Sequence, residues 1–215
     1  MKGGKWLTTI YLVRHGETEW NHTNRYQGDR DVPLNARGKE QAGKIGHRMR
    51  GVRLAAIYAS DLERAARTAR TINEGRNLPF FMRPGLREMN YGLWEGLTQA
   101  EIRESHPASW REYREDSLNT RVPGGENYRD VLDRVRRVMD EIAGQHPDGT
   151  VAVVGHAGSL RAVIFHALDM DPRDRWRLRL GNVSLSIVTW GVGGGELLLF
   201  NDTCHLSETP LEDNE

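Results

Sequence analysis

His15 is the residue of this sequence that is best suited to nucleophilic chemistry, because it lies in a turn directly after a strand-like run. Residues 8–13 are mostly β-branched or aromatic, and the run ends abruptly at Arg14-His15-Gly16. A neutral imidazole nitrogen can attack an electrophile when the other ring nitrogen keeps its proton and donates it to a fixed acceptor, which we expect to be a nearby backbone carbonyl. Because Gly16 has no side chain, we expect it to leave room for a substrate beside the ring.

Three further side chains could hold the electrophile if it is a phosphoryl group. A phosphate monoester carries about two negative charges near neutral pH, so its oxygens need several cationic or hydrogen-bonding partners. Arg14 follows the first predicted strand, Arg64 lies near the start of a predicted helix, and His156 follows a second apolar strand. Arginine donates two parallel hydrogen bonds to such oxygens, whereas lysine offers only a point charge. These residue types therefore predict phosphoryl transfer at a local anion site.

Strands and amphipathic helices alternate along the chain and predict where these side chains meet. Buried strands are predicted at 8–13, 54–59 and 151–154. Helices are predicted from a cap at Asn35 to about Arg50, from a capping sequence at 60–63 to Gly75, over 98–116 with a break at Pro107, and through 131–142. Ligands of sheets in such folds bind beyond the carboxyl ends of the strands. Since His15 and His156 each follow a strand, we expect them to converge on one rim of the sheet.

This alternation indicates an α/β fold, a three-layer α/β/α sandwich around a mostly parallel central sheet. Residues 184–190 and 196–201 flank a glycine-rich connection, which predicts a hairpin and therefore an antiparallel edge. We expect a single domain over residues 1–215, with a core at about 8–206 and a candidate flexible tail at 207–215.

The composition of the whole chain excludes several classes of protein. The 215 residues include 30 Lys+Arg and 30 Asp+Glu, so no bulk field favours a nucleic acid or an anionic membrane as a partner. No run of 18 apolar residues occurs, and the amino end has no apolar run typical of an export signal. The single cysteine, Cys204, can form no internal disulfide, which favours a reducing, cytoplasmic location. A homo-oligomer stays open.

Two adjoining motifs follow the first predicted strand: Leu12-Val-Arg14-His15-Gly16-Glu17-Thr18 and Trp20-Asn21. They resemble the signature of the histidine phosphatase superfamily, which includes the phosphoglycerate mutases. The likeness continues through Tyr26-Gln27-Gly28, Ser60-Asp61-Leu62 with Arg64, Leu86-Arg87-Glu88, Pro123-Gly-Gly-Glu126, Gly155-His156 with Arg161, and Asn182 with Ser184. The resemblance implies a phosphoglycerate mutase-like fold. The short spacing before Pro123 is similar to that of compact broad-specificity phosphatases and α-ribazole phosphatase-like members.

The resemblance also implies a covalent mechanism on a small phosphate monoester. His15 would become phosphorylated, and Glu88 would protonate the departing alcohol and later deprotonate the water that attacks phosphohistidine. The implied phosphate-binding residues are Arg14, Asn21, Gln27, Gly28, Arg64, His156 and Ala157. Ala157 stands where the family frequently has glycine. No metal ion and no cofactor is implied, because cationic side chains can stabilise the charge of the transition state.

Three other interpretations stay open from the sequence. A phosphoglycerate mutase would pass the phosphoryl group to phosphoglycerate instead of water, although we find no long middle segment with the paired arginines of mutases. A phosphate-binding module would keep the fold without turnover. A metallophosphatase would need a close pair of ligands, which the eight histidines do not supply. The aromatic residues Tyr91, Trp94, Trp110 and Tyr113 could either wall a leaving-group pocket or simply pack in the core.

Overall fold

Six strands form one mixed sheet at the centre of the fold. The structure, a computed structural model, describes residues 7–207, so residues 208–215 of the predicted tail lie outside the described residues. The strands are β1 (Thr8–Arg14), β2 (Ala56–Ala59), β3 (Phe80–Met82), β4 (Thr150–Gly155), β5 (Leu185–Trp190) and β6 (Leu197–Asp202). Their order is β3-β2-β4-β1-β5-β6, with parallel pairs from β3 to β1 and antiparallel pairs from β1 to β6. The predicted mostly parallel sheet with an antiparallel edge is confirmed.

Helices pack on both faces of this sheet and make the three layers. They are α1 (Glu19–His22), α2 (Ala36–Arg48), α3 (Glu63–Asn73), α4 (Gln99–Ser105), α5 (Pro107–Glu115), α6 (Tyr128–Gln145) and α7 (Ala157–Leu168). Short 3-10 turns span Pro84–Leu86, Gly92–Trp94, Pro172–Arg177 and Cys204–Leu206. Apolar residues of α2 and α3 pack on one face of the sheet, and those of α6 and α7 pack on the other.

The strand side chains alternate between these two cores. Val151 and Val153 of β4 pack in the cluster that contains α6 and α7, whereas Ala152 and Val154 pack in the cluster that contains α2 and α3. Successive side chains of a strand point to opposite faces, so a strand that is covered on both faces is apolar throughout. This arrangement explains why the strand next to His156 is a continuous apolar run.

The structure agrees with the predicted helices in position and differs in their details. Asn35 caps α2 as expected, since its side chain accepts a hydrogen bond from the amide of Gly38 at 2.8 Å. Pro107 separates α4 from α5 and occupies the first turn of α5, where a missing N–H costs nothing. The predicted capping sequence at 60–63 is wrong, because the N-cap of α3 is Leu62, whose side chain makes no capping hydrogen bond.

Candidate active site

The carboxyl ends of β1 and β4 bring the two histidine turns together. These strands are parallel neighbours, and the amide of His15 donates to the carbonyl of Gly155 at 3.0 Å. The ring centroids of His15 and His156 lie 5.0 Å apart. Both residues are buried. The two turns therefore share one rim of the sheet, where the alternation of strands and helices places them.

The hydrogen bond of His15 fixes which of its nitrogens is free. Nδ1 lies 2.7 Å from the carbonyl oxygen of Gly16. A carbonyl can only accept, so Nδ1 carries the proton and Nε2 keeps its lone pair. Burial, reinforced by the charges of Arg64 and Arg14, holds the pKa of His15 well below its usual range. The ring is therefore neutral near pH 7.

Gly16 serves a different purpose from the one expected. A Cβ added there would lie 2.5 Å from the carbonyl oxygen of Gly38 in α2. The space beside Gly16 is thus occupied by the backbone of a helix and is not open to a substrate. The glycine permits a close approach of the His15 turn to α2, which fixes the turn in place.

Arg64, at the start of α3, is held by three acceptors. Its Nε donates to Nδ1 of His156 at 3.2 Å, and its Nη1 and Nη2 donate to the carbonyls of Arg30 and Gly28, each at 2.7 Å. A guanidinium has five N–H groups, so two remain for an anion. Burial lowers the pKa of Arg64 to about 10, which leaves it cationic near neutral pH. The side chain therefore presents a fixed positive charge.

The predicted residue Gly28 contributes its backbone to this arrangement. Its φ is +53°, and an added Cβ would lie 2.0 Å from Oε1 of Glu95. A larger residue would be strained and would collide with Glu95. Glycine at this position places a carbonyl against Arg64.

The ring of His156 has partners on both nitrogens. The Nε of Arg64 only donates, so Nδ1 of His156 accepts and Nε2 carries the proton, which lies 2.8 Å from Oγ of Ser60. Burial and the charge of Arg64 hold the pKa of His156 well below its usual range. His156 is not among the residues that line the cavity beside His15. Its contact with a phosphoryl group stays a prediction.

Arg14 has a buried donor that is free. Its Nη1 donates to the carbonyl of Leu180 at 2.6 Å. Its Nε is buried and has no hydrogen-bond partner among residues 7–207. Buried donors are nearly always satisfied, so this nitrogen is suited to an oxygen of a bound anion.

Of the remaining predicted residues, two line the cavity and one does not. Asn21 and Gln27 form part of the wall. The side-chain oxygen of Asn21 accepts from Nδ2 of Asn182 at 3.2 Å, so its own Nδ2 is the group left to donate. Gln27 accepts from the hydroxyl of Thr18 at 3.0 Å. Ala157 begins α7 and lies outside the set of lining residues.

Glu88 reaches the same cavity from the loop before α4. Both of its carboxylate oxygens accept from the amide of Gly158, at 3.0 and 3.1 Å, and Oε1 also accepts from the amide of Met89 at 2.9 Å. A Cβ at Gly158 would lie 2.1 Å from Oε1 of Glu88, so glycine is needed for this approach. Gly158 was not predicted from the sequence, although its place in the first turn of a helix after His156 is typical of an anion contact.

Arg134, which was also not predicted from the sequence, holds the loop that carries Glu88 through hydrogen bonds. Arg134 of α6 donates to the carbonyl of Glu88 at 2.7 Å, to that of Arg87 at 2.7 Å and to that of Gly85 at 2.9 Å. Its Nε also lies 3.0 Å from Oε1 of Glu126. The amide of Asn90 donates to the other oxygen of Glu126 at 2.9 Å. No local sequence signal connects Arg134 with a loop more than 40 residues away.

The cavity has a volume of about 680 Å³ and extends well beyond His15. Besides the predicted site residues, its lining includes Tyr26, Tyr91, Thr98, Gln99, Arg161 and Trp176. We call the part lined by these six residues the outer cavity. Of the four aromatic candidates for a pocket wall, only Tyr91 lines this cavity among the described residues. Trp94, Trp110 and Tyr113 pack against one another in or against the core.

The described part of the chain contains no group of three or more His, Cys, Asp or Glu side chains placed to hold a metal ion. Over the same residues, no helix is long and apolar enough to cross a bilayer.

Comparison with known proteins decides the family. Residues 10–203 match the model of the histidine phosphatase superfamily, branch 1. The chain belongs to this superfamily. It is 34% identical over 206 residues to phosphoserine phosphatase 1 of Hydrogenobacter thermophilus, over 96% of this chain and 98% of that protein. It is 32% identical over 213 residues to the "Probable phosphoglycerate mutase GpmB" of Erwinia tasmaniensis, over 96% of this chain and 99% of that protein.

A solved structure supports the same assignment for the fold. The α-ribazole phosphatase of Shigella flexneri matches this histidine phosphatase with a TM-score of 0.83 at 28% identity, over 90% of this chain and 96% of that one. The predicted superfamily and the phosphoglycerate mutase-like fold are confirmed. The prediction of a phosphatase that acts on small phosphate esters is confirmed as well.

Proposed function

We propose that this histidine phosphatase hydrolyses phosphate monoesters through a covalent phosphohistidine on His15. The observation that carries the proposal is the 2.7 Å hydrogen bond from Nδ1 of His15 to its neighbouring carbonyl. That bond leaves Nε2 unprotonated in a cavity whose wall also contains Arg14, Arg64 and Glu88. A neutral nucleophile beside two guanidinium groups and a carboxyl group is the set of residues that two-step phosphoryl transfer requires.

In the first step, Nε2 of His15 attacks phosphorus and the bond from phosphorus to the ester oxygen breaks. The electron pair of that bond goes to the ester oxygen, which takes a proton from the carboxyl group of Glu88 and leaves as an alcohol. The remaining phosphoryl oxygens are bound by Arg14, Arg64 and Nδ2 of the Asn21 side chain. Their charge stabilises the transition state because they are held in place before the substrate binds.

In the second step, a water molecule attacks the phosphorus of phosphohistidine. The carboxylate of Glu88 accepts a proton from that water, the bond from nitrogen to phosphorus breaks, and its electron pair returns to Nε2 of His15. Inorganic phosphate leaves. The amide of Gly158, which is shared between the two oxygens of Glu88, holds this side chain in position for both proton transfers.

The names of the relatives support a proposal at the level of the phosphoryl group. Phosphoserine, phosphoglycerate and α-ribazole phosphate contain different alcohols. The chemistry these names share is therefore transfer of the phosphoryl group, and the alcohol has to be recognised by the outer cavity. We also propose a cytoplasmic location and no nucleic-acid partner, which the single cysteine and the balanced charge support.

A mutase is the second candidate, and the name of the Erwinia relative favours it. In a mutase, phosphohistidine would transfer its phosphoryl group to phosphoglycerate faster than to water. Incubating the phosphorylated protein with 3-phosphoglycerate and measuring the ratio of bisphosphoglycerate to inorganic phosphate distinguishes the two. We expect inorganic phosphate to dominate.

The test of the proposed function compares p-nitrophenyl phosphate, whose phenolate leaves without a proton, with glycerol phosphate, whose alkoxide needs one. We expect His15→Ala to lower turnover of both by about 10⁴-fold or more, because the covalent route is lost. We expect Glu88→Gln to release one equivalent of nitrophenolate in a burst and then stall as phosphohistidine, with cleavage of glycerol phosphate lowered by about 10²- to 10⁴-fold. His47→Ala, an exposed histidine on α2, is the matched control. Turnover that survives His15→Ala would contradict the proposal.

A further inference from the structure

Arg161 of α7 lines the cavity and has two guanidinium nitrogens with no hydrogen-bond partner among residues 7–207. Its Nε donates to the carbonyl of Leu178 at 2.8 Å. Among residues 7–207, Arg161 forms no ion pair, and neither Nη atom is sealed from solvent. The side chain lines the same cavity as His15 and Glu88. It is therefore a fixed positive charge that the described protein leaves unneutralised.

The other cation in the outer part of the cavity is not available in this way. Arg25 lies 2.8 Å from a carboxylate oxygen of Glu101 and also donates to the carbonyl of Gly96 at 2.6 Å. A half-buried guanidinium with no carboxylate partner costs free energy unless a ligand supplies the anion. Arg161 is thus the group in the outer cavity that is suited to a negatively charged part of the substrate.

Arg161 and Arg14 are anchored on the same segment of the chain. Leu178 holds Arg161 and Leu180 holds Arg14, through carbonyls two residues apart on one segment that leaves the 3-10 turn with extended backbone at Leu178. Burial and, to a smaller extent, the charge of Arg161 lower the pKa of Arg14, which places the two guanidinium groups near each other. Both side chains line one cavity, so an anion bound by Arg161 would lie close to a phosphoryl group held by Arg14.

Tyr91 adds a neutral donor to this end of the cavity. Its hydroxyl has no hydrogen-bond partner among residues 7–207 and is not sealed from solvent. Its ring packs edge-on against Tyr26, with centroids 4.8 Å apart, which fixes its direction. Burial holds the pKa of Tyr91 well above its usual range, so the hydroxyl stays a donor. A guanidinium fork and a hydroxyl together match the oxygens of a carboxylate.

We propose that Arg161 and Tyr91 bind a carboxylate on the alcohol part of the substrate, so that the enzyme prefers short phosphorylated hydroxy acids or amino acids. The inference rests on the proposed function, because it concerns the leaving group of that reaction. One unpaired guanidinium balances one negative charge. A second phosphate group would bring about two charges, of which Arg161 balances only one.

The test uses substrates that differ only in the carboxylate. O-phosphoserine and O-phosphoethanolamine share the phosphate and the amine, and only the first has a carboxylate. We expect kcat/KM of the wild type to favour O-phosphoserine by about 10- to 100-fold, the value of a hydrogen bond to a charged group. Arg161→Gln brings that ratio close to one, Arg161→Lys gives an intermediate ratio, and Tyr91→Phe lowers it by about threefold to tenfold. Arg177→Gln, an exposed arginine next to Leu178, keeps the wild-type ratio.

Two results would overturn this inference: a wild type with no preference for the carboxylate, or an Arg161→Gln variant that loses both substrates equally. Hydrolysis of p-nitrophenyl phosphate separates the failure of this inference from the failure of the proposed function. If that hydrolysis depends on His15 and the ratio is one, only the carboxylate site is wrong. If that hydrolysis is absent from the folded wild type, the proposed function itself is wrong. Thermal melting of each variant checks that it is folded.

Discussion

The turns after β1 and β4 each place a buried histidine at the same rim of the sheet, yet their hydrogen bonds differ. In the first turn, Nδ1 of His15 donates to the adjacent carbonyl and Nε2 is free. In the second turn, Nδ1 of His156 accepts from Arg64 and Nε2 donates to Ser60. A histidine after a strand can therefore keep a free ring nitrogen, as His15 does, or use both nitrogens to contact other elements, as His156 does.

The largest expected effect of the difference between His15 and His156 is on the formation of phosphohistidine. We expect His156→Ala to keep phosphohistidine formation and to lower turnover by about 10²- to 10³-fold, because Arg64 loses the partner of its Nε and with it a fixed orientation. His15→Ala should form no phosphohistidine. Acid-labile incorporation of radioactive phosphate from a labelled monoester measures both. If folded His156→Ala took up no label while His15→Ala did, the roles of the two rings would be reversed.

A smaller effect is expected on the pH dependence of stability. Burial holds the pKa of both histidines well below the usual value of 6.5 in the folded protein, so the unfolded chain binds more protons below that pH. The free energy of unfolding should be unaffected by these groups above about pH 6.5. Below it, we expect a loss of about 1.4 kcal/mol per pH unit for each histidine, until the folded pKa is reached.

Urea unfolding from about pH 7 to about pH 5 measures this loss, and the difference between wild type and His156→Ala isolates one histidine. The difference also cancels carboxyl groups such as Asp29 and Glu95, whose pKa is raised by burial. Parallel curves for the two proteins would show that His156 is not held neutral by the fold.

The smallest effect concerns Ser60, the acceptor of the His156 proton. We expect Ser60→Ala to lower the free energy of unfolding by about 1–2 kcal/mol, because a buried N–H loses its partner. Ser105→Ala, at the exposed end of α4, is the control and should change it far less. Urea unfolding near pH 7 compares the two. An equal change in both variants would mean that the bond from His156 to Ser60 contributes nothing to stability.

The errors of sequence prediction in this chain have a common cause. The sequence 60–63 was expected to cap α3, but Ser60 contacts His156. Gly16 was expected to border the substrate, but it lies against Gly38. Both expectations used only neighbouring residues, whereas the true partners lie on other elements. The strand β3 was not predicted because it has three residues, two of them exposed, so it carries no buried periodic pattern.

Some of the residues proposed for the chemistry could be found from the sequence because they adjoin strong local signals, whereas Glu88 and Asn21 came from the family resemblance alone. Arg14, His15 and His156 follow apolar strands, and such strands are recognisable from composition alone. Local signals could not reveal the roles of Gly158 and Arg134, or the unpaired nitrogens of Arg161. Gly158 and Arg134 matter through hydrogen bonds to a distant loop, and Arg161 matters because the elements around it supply only one partner.

The sequence by itself determined the alternation of strands and helices, and with it the rim at which the histidines meet, because hydrophobic periodicity is a local property. It also supplied the arginines, the carboxylate and the imidazole that phosphoryl transfer needs. Only the tertiary structure decided which imidazole nitrogen is free and which guanidinium lacks a partner. Hydrogen bonds and desolvation depend on atoms that are distant in the chain and adjacent in space.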